Sequence, residues 1–221
     1  DYKEAISAAY INYKGKLSDF NFSIGARAEL TDYSFFISNT APQEIAESYF
    51  NLFPNVSLSK TFSENKTLNF SYSSRIRRPP YQHLNPILIY QDPFTSIQGN
   101  PKLKPEIVHS FELNSKINKT IYTVGYNYTL EPLGNTVITG EVPNSYILQR
   151  INYGKENEFY LSANRTFRIT RWWSSINTLS IKYTNLSEGE QGFESVNPEP
   201  NIYLLTNNRF KFSDTFNSEV S

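Results

Sequence analysis

The sequence predicts an all-β fold, an antiparallel up-and-down transmembrane β-barrel, of which residues 1–221 form about ten strands of a larger wall. Two regularities lead to this prediction. Apolar and polar residues alternate along most of the chain, which indicates strands with two chemically different faces. Short connections also alternate with long ones, as in bacterial outer-membrane barrels, where periplasmic turns are short and extracellular loops are long.

The predicted strands are segments in which every second residue is apolar and the intervening residues are polar. In chain order, the alternating segments are residues 20–30, 50–58, 68–72, 111–113, 122–130, 159–163, 177–183 and 202–212. Several predicted strands exceed the ~9–11 residues that a strand needs to cross a bilayer. Phe53 is the apolar residue that interrupts its segment. The chain has no run of ~20 apolar residues, so a membrane-spanning helix is not possible.

The predicted connections fall into a short group and a long group. Short turns are expected at residues 14–16, 63–66, 118–119, 168–172 and 213–215, and long loops at residues 39–48, 78–105, 131–144 and 186–201. Since short turns are periplasmic in such barrels, the topology predicts one set of residues in the periplasm and one outside. The first set is Gly15, Glu64, Asn118 and Asp214, and the second is Gln82, Gln98, Asn135 and Gln191.

The longest connection carries a distinctive run of motifs. It reads Arg75-Ile-Arg-Arg-Pro-Pro-Tyr81, Leu84-Asn-Pro86, Asp92-Pro-Phe94 and Gly99-Asn-Pro-Lys-Leu-Lys-Pro-Glu106. This run resembles the C-terminal barrel segment of TonB-dependent outer-membrane receptors, and in particular the outer membrane protein β-barrel branch. Two further segments add to the resemblance: residues 150–162, read as a strand with an Asn-Tyr-Gly core, and residues 167–173, read as an aromatic turn. The resemblance covers most of the chain from residue 49 onward.

The resemblance implies a receptor in the outer membrane of a Gram-negative cell. Its extracellular loops would bind a scarce small ligand, such as a siderophore, glycan or peptide, and import it through a plugged lumen. The implied partners are outer-membrane lipid, a plug domain of the same chain, and an inner-membrane energy-coupling complex that acts through the plug. Residues 1–221 contain no plug-like segment, so we expect them to be a fragment that forms part of one barrel domain.

Seven residues are candidates for ligand binding. Arg75 and Arg77 share the parity of Ser71 and Ser73, which the alternation assigns to the lumen. Their charges would either attract an anionic ligand or pair with plug carboxylates. The other candidates lie in the long loop and offer aromatic faces and hydrogen-bonding groups: Tyr81, Gln82, His83, Tyr90 and Phe94. An ordinary hydrogen-bonded loop histidine is the alternative for His83.

No enzyme, metal site or cofactor is predicted. His83 and His109 are in neither a metal-ligand spacing nor a nucleophile motif, and packing at a strand end accounts for His109. The carboxylate pairs Glu156/Glu158 and Glu188/Glu190 are expected to be solvated. A net charge of zero gives no indication of a nucleic-acid partner. Membrane-interface aromatic residues are predicted at Tyr49, Phe50, Tyr128, Trp172 and Trp173.

Two other classes of protein remain open at this stage. A secreted or surface-attached β-sandwich could also alternate in polarity, and its aromatic faces would then bind glycans. A barrel enzyme or an assembly pore without a plug would share the same wall. The sandwich would be released from cells by high salt, whereas the barrel requires detergent.

Overall fold

The computed structural model describes residues 2–37, 43–187 and 199–221, which form fourteen strands and one short helix. The elements are β1 Tyr2–Leu17, β2 Phe20–Ile37, β3 Gln43–Ser63, β4 Lys66–Arg77, α1 Tyr81–Leu84, β5 Ile89–Tyr90, β6 Thr95–Gln98, β7 Glu106–Ile117, β8 Thr120–Leu130, β9 Leu133–Thr139, β10 Tyr146–Asn152, β11 Lys155–Arg168, β12 Trp173–Ser187, β13 Asn201–Lys211 and β14 Asn217–Val220. No helix in these ranges is long and apolar enough to span a membrane.

Ten strands form one antiparallel sheet in the order β1-β2-β3-β4-β7-β8-β11-β12-β13-β14. Each strand of this sheet pairs with the next strand of the same sheet along the chain, which is the up-and-down arrangement. The sheet is not closed. The chain leaves this wall between β4 and β7 and again between β8 and β11. The two excursions lie at the same end and combine into a second sheet, β5-β6-β10-β9, in which β6 and β10 are parallel. The predicted fold class and strand number are confirmed.

The register sorts the wall into apolar and polar rows. One row of directly paired residues runs across eight strands: Phe22, Leu58, Phe70, Leu113, Val124, Leu161, Ile181 and Ile202. The adjacent row points to the other face and reads Ser23, Ser57, Ser71, Glu112, Gly125, Tyr160, Lys182 and Asn201. Because side chains alternate between faces, the two rows mark opposite faces of the wall. We call the face of the first row the outward face, and its opposite the inward face. Toward the short turns the outward face also carries polar residues, such as Arg165, Ser175 and Asn208.

The apolar face is exposed and much of the polar face is buried. In the apolar row, Leu58, Phe70, Leu113, Val124, Leu161 and Ile202 expose between 38% and 70% of their surface. Among the buried polar side chains of the wall strands, Glu29, Thr31, Glu106 and Thr129 point inward, whereas the smaller Ser74, Thr120 and Ser175 lie on the outward side. A soluble sandwich buries its apolar faces between two sheets, so this distribution contradicts the sandwich alternative. It suits a wall with lipid outside and a polar interior.

Phe53 has a structural explanation on the inward face. It lies between Asn51 and Asn55 in the alternation of β3, so it points away from the lipid side, and it is only 6% exposed. The break in the sequence pattern therefore marks a place where part of the chain covers the inward face.

Aromatic residues form two clusters on the outward face, near opposite ends of the strands. The cluster at the long-loop end comprises Tyr72, His109, Phe111, Tyr126, Tyr128 and Phe159, and the cluster at the short-turn end comprises Trp172, Trp173, Phe210, Phe212 and Phe216. Tyr183 pairs with Phe159 and lies ten residues from Trp173. At ~3.4 Å per residue and a tilt of ~40°, the clusters are ~26 Å apart. The apolar band of outer-membrane barrels is about as tall, ~25 Å.

The aromatic predictions hold with one correction. Trp172, Trp173 and Tyr128 belong to these clusters, Phe50 is exposed on the outward face, and His109 packs there with its Nδ1 3.0 Å from the Tyr72 hydroxyl. The prediction for Tyr49 is wrong. It is the neighbour of Phe50 in β3, so it points inward, where its ring lies 6.3 Å from that of Tyr33.

Several predicted connections also need correction. The first short turn is at Ser18-Asp19 and not at residues 14–16, because β1 continues to Leu17. Gly15 is a strand residue: a Cβ there would lie 2.6 Å from the paired Phe22 ring, so the glycine allows close packing and does not mark a turn. The Asn-Tyr-Gly run is not a strand core, since β10 ends at Asn152 and β11 begins at Lys155.

The predicted loop at residues 78–105 is confirmed, because β4 ends at Arg77 and β7 begins at Glu106. The other three long connections differ from the prediction, because strands occupy part of the predicted loops. β3 begins at Gln43, β12 ends at Ser187, and β9 occupies residues 133–139 of the third loop. Glu188, Glu190 and Gln191 lie outside the described residues.

Candidate ligand-binding site

The connection between β4 and β7 folds over the inward face of the first three strands. Arg78 anchors it at its start. The guanidinium donates from Nη2 to Glu29 Oε2 at 2.7 Å and to Thr31 Oγ1 at 2.9 Å, and its Nε lies 3.5 Å from Glu4 Oε1. Leu84 and Leu103, further along, are both buried. A loop held by a charged anchor and two buried side chains has a defined position over the lumen side of the wall.

Arg75 and Arg77 point inward, as their parity predicts, and both contact the wall. Arg77 Nη1 donates to Glu106 Oε2 at 2.8 Å, and Arg75 Nη2 donates to Ser110 Oγ at 3.3 Å. Glu106 is 5% exposed, and its other carboxylate oxygen accepts from the Leu133 backbone N–H at 2.6 Å. Arg77 therefore has a carboxylate partner within its own wall and also holds the start of β9 in place through that partner.

The Gly-Asn-Pro segment connects the helix to the second sheet. Gly99 donates its N–H to Asn85 O at 2.9 Å, and Asn100 donates its N–H to His83 O at 2.6 Å. The side-chain amide of Asn100 donates to Arg150 O at 3.2 Å. A Cβ on Gly99 would lie 2.7 Å from Asn85 N and 2.8 Å from His83 O, so only glycine allows this approach.

The end of the same motif is tied to β10 and to the start of the third loop. Lys104 exchanges two hydrogen bonds with Asn152: its N–H donates to Oδ1 at 2.8 Å, and its carbonyl accepts from Nδ2 at 3.0 Å. Asn152 Nδ2 also donates to Glu131 O at 2.7 Å. The motif that carries the sequence resemblance is thus a structural clamp between two connections far apart in the chain.

The clamp leaves a cleft between α1 and the second sheet. Its volume is about 310 Å³, within the range of small-molecule sites. The lining residues are Gln82, His83, Ile97, Gln98, Gly99, Asn135, Leu148, Gln149 and Arg150. They supply amide groups, a guanidinium, an imidazole and aliphatic side chains, and none is acidic. This composition favours binding through hydrogen bonds and apolar contact.

His83 has an unusual environment in this cleft. Its Nδ1 is buried without a hydrogen-bond partner. Burial, and secondarily the positive charge of Arg150, lower the pKa of the His83 imidazole. The ring is therefore neutral at neutral pH.

The seven predicted site residues do not come together. Gln82 and His83 line the cleft, whereas Arg75 and Arg77 lie lower on the wall. Tyr81 packs beside Tyr2, with ring centroids 5.5 Å apart. Tyr90 and Phe94 are 72% and 56% exposed near a turn that Asp92 holds by accepting the Phe94 N–H at 2.8 Å.

Sequence reasoning missed most of the cleft. Gln98 and Asn135 were predicted to be extracellular but not to bind ligand, and Ile97, Leu148, Gln149 and Arg150 were not singled out. Tyr146, Leu148 and Arg150 do share one parity, which is a local signal for a strand. The parallel pairing of β6 with β10 has no such signal, because it joins residues about fifty positions apart.

The apolar exposed wall, its two aromatic clusters and its polar interior define an outer-membrane β-barrel protein. The chain belongs to the outer membrane protein β-barrel family, whose family model matches residues 1–221. Its place is therefore the outer membrane. A comparison with curated proteins found no match.

Solved structures share the fold at low sequence identity. The siderophore receptor PirA from Pseudomonas aeruginosa matches with a TM-score of 0.50 and 14% identity, over 99% of this chain and 52% of that chain. The copper transporter OprC matches with a TM-score of 0.61 and 11% identity, over 97% of this chain and 42% of that chain. The chain thus spans about half the length of these relatives, which are receptors and transporters by name.

Proposed function

We propose that this chain forms part of the wall and the extracellular ligand site of a TonB-dependent type of receptor. The receptor captures a scarce small ligand outside the cell and imports it through the lumen. A plug domain of the same protein closes the lumen, and an inner-membrane energy-coupling complex opens it. The relatives support this reading, since one is named as a siderophore receptor and another as a copper transporter.

The observation that carries the proposal is the preformed cleft. It lies at the end of the wall from which the long connections leave, and the Gly-Asn-Pro clamp holds both of its sides. A site held open before binding avoids much of the entropy that ordering a flexible loop would cost. Capture of a dilute ligand needs this property.

The inward face below the cleft suits passage of a polar ligand. Its rows are polar, and Arg77 and Arg78 are neutralised by Glu106 and Glu29 of the wall. Paired charges do not hold a passing ion as tightly as single charges do. At these two ion pairs the wall therefore offers hydrogen-bonding groups but no net charge.

Uptake by living cells tests the proposal. Compounds removed from a complex growth medium are measured by mass spectrometry for the parent strain and for a strain that lacks the gene. We expect removal of at least one compound to depend on the gene. In the double variant Gln82→Ala/Asn135→Ala that uptake falls, whereas heat-modifiable gel mobility stays normal. Val142→Ala is the matched control, because Val142 is exposed and does not line the cleft.

Two results would contradict the proposal. In the first, a strain that lacks the gene removes every compound from the medium as well as the parent strain does. In the second, the double variant imports the ligand as fast as the Val142→Ala control.

A further inference from the structure

The second sheet exposes a continuous aliphatic row on one face. Ile89 pairs with Ile97, Ile97 with Leu148, and Leu148 with Val137, so one apolar side chain comes from each of the four strands. Directly paired residues share a face. All four are 39% to 58% exposed.

The polar groups of the cleft border this row on the same face. Arg150 follows Leu148 by two residues and pairs with Asn135, so both lie in the next row of that face. Gln82 and His83 of α1 form the facing wall. The site is therefore amphipathic. The aliphatic row, which we call the aliphatic floor, lies next to the single guanidinium of Arg150, and amide groups surround that guanidinium.

Four arginines of this chain, Arg27, Arg77, Arg78 and Arg209, each lie within 4 Å of a carboxylate. In the described part of the chain the other five arginines have no carboxylate that close, and of these five Arg150 is the one that lines the cleft. Among the described residues no carboxylate or other side-chain acceptor contacts the Arg150 guanidinium, and no acidic residue lines the cleft. The backbone of Arg150 is nevertheless fixed, because its carbonyl accepts from Asn100 and the next residue, Ile151, is 4% exposed.

An unpaired guanidinium on a fixed backbone, in a partly enclosed cleft, favours an anion. Guanidinium groups bind carboxylates and similar oxyanions through two parallel hydrogen bonds, and the attraction strengthens where water is excluded. The aliphatic floor next to it favours an apolar group attached to that anion. The neutral imidazole of His83 adds no competing charge.

We propose that the cleft binds a small organic anion with an apolar body. The oxyanion lies on Arg150, the body lies on Ile97 and Leu148 and extends toward Ile89 and Val137, and the amides bind further polar atoms of the ligand. This inference rests on the proposed function, because it names the class of ligand that the same site takes. Cations and uncharged apolar molecules are excluded as preferred ligands.

Three probes with one common body test the charge preference. They are 2-naphthoate, 2-naphthylmethanol and 2-naphthylmethylammonium, measured by equilibrium dialysis against the whole protein in lipid nanodiscs, with empty nanodiscs subtracted. We expect 2-naphthoate to bind at least about tenfold more tightly than the other two, since a charge-assisted bidentate contact supplies roughly that factor.

Variants separate the charge from the floor. Arg150→Gln should remove the preference for 2-naphthoate. Arg150→Lys should retain part of it, because the charge stays while the bidentate geometry is lost. Leu148→Ser should weaken all three probes to a similar extent. Arg168→Gln is the charge-matched control, because Arg168 is exposed at the far end of the wall. Normal heat-modifiable mobility of each variant shows that the barrel has folded.

The inference is overturned if no probe binds, if the alcohol or the ammonium compound binds as tightly as the carboxylate, or if Arg150→Gln keeps the preference. Any of these results leaves the proposed function standing as long as gene-dependent uptake is sensitive to Gln82→Ala/Asn135→Ala. Absence of gene-dependent uptake would instead contradict the proposed function, whatever the probes show.

Discussion

Val124→Arg places a guanidinium on the outward face of the wall. Val124 is 50% exposed in strand β8, and its direct neighbours across the sheet are Leu113 and Leu161. In the membrane this exposed surface contacts lipid chains. An arginine there must bring its charge into the hydrocarbon or bend its side chain toward an interface.

The magnitude follows from the depth of the residue. Val124 lies four residues from Tyr128 of the aromatic cluster at the long-loop end. At ~3.4 Å per residue and a tilt of ~40°, it is ~10 Å below Tyr128 and ~5 Å below the row of Tyr126 and Phe159, so it lies inside the ~25 Å band but nearer the long-loop end. Arginine costs ~2–4 kcal/mol at the midplane and ~0–1 kcal/mol near an interface, so we expect about 2 kcal/mol here, a change of more than tenfold in the folding equilibrium.

Asn127→Arg is the matched control on the inward face of the same strand. Asn127 Nδ2 donates to Glu158 Oε1 at 2.9 Å, so the new guanidinium would meet a carboxylate and a polar interior. We expect this change to cost less than about 1 kcal/mol.

Urea unfolding of the protein in lipid vesicles, followed by tryptophan fluorescence, measures both variants. Trp172 and Trp173 lie together in the aromatic cluster at the short-turn end and report loss of the membrane-bound fold. Equal penalties for Val124→Arg and Asn127→Arg would refute the reasoning, because both faces would then be covered by protein.

Three further predictions concern the connections. The chain has no cysteine, so single cysteines can be introduced and labelled on intact cells with an impermeant reagent. Cysteines at Gln82, Gln98 and Asn135 should react, whereas cysteines at Glu64, Asn118 and Asp214 should not. The reverse result would invert the topology. Gly99→Val should lower the yield of folded barrel on gels, because its side chain overlaps the backbone of Asn85; a normal yield would show that the clamp is dispensable. His83 should titrate by NMR below its ordinary pKa, since burial and the charge of Arg150 oppose protonation. Its contribution to stability is therefore present above pH ~6.5 and is lost as the pH falls below that value, and His83→Gln should remove this loss. An unshifted titration would contradict the buried environment.

The alternation of side chains determined the wall from the sequence. Lipid favours apolar side chains and the interior favours polar ones, so most strands carry a period of two, and this is visible without any partner. The strand number, the outward direction of Val124 and the inward direction of Arg75 and Arg77 could all be predicted for this reason. The aromatic turn before Trp173 is equally local.

The site was decided by tertiary pairing. Arg77 forms an ion pair with Glu106, Asn100 donates a hydrogen bond to the Arg150 carbonyl, and Ile97 pairs with Leu148. No periodicity within either segment of a pair predicts these contacts. The parallel pairing of β6 with β10 brings Arg150 beside α1, and the Gly-Asn-Pro clamp then holds the cleft open. Local sequence patterns record the two media that a strand faces, whereas a cleft between two connections depends on which distant segments bind each other.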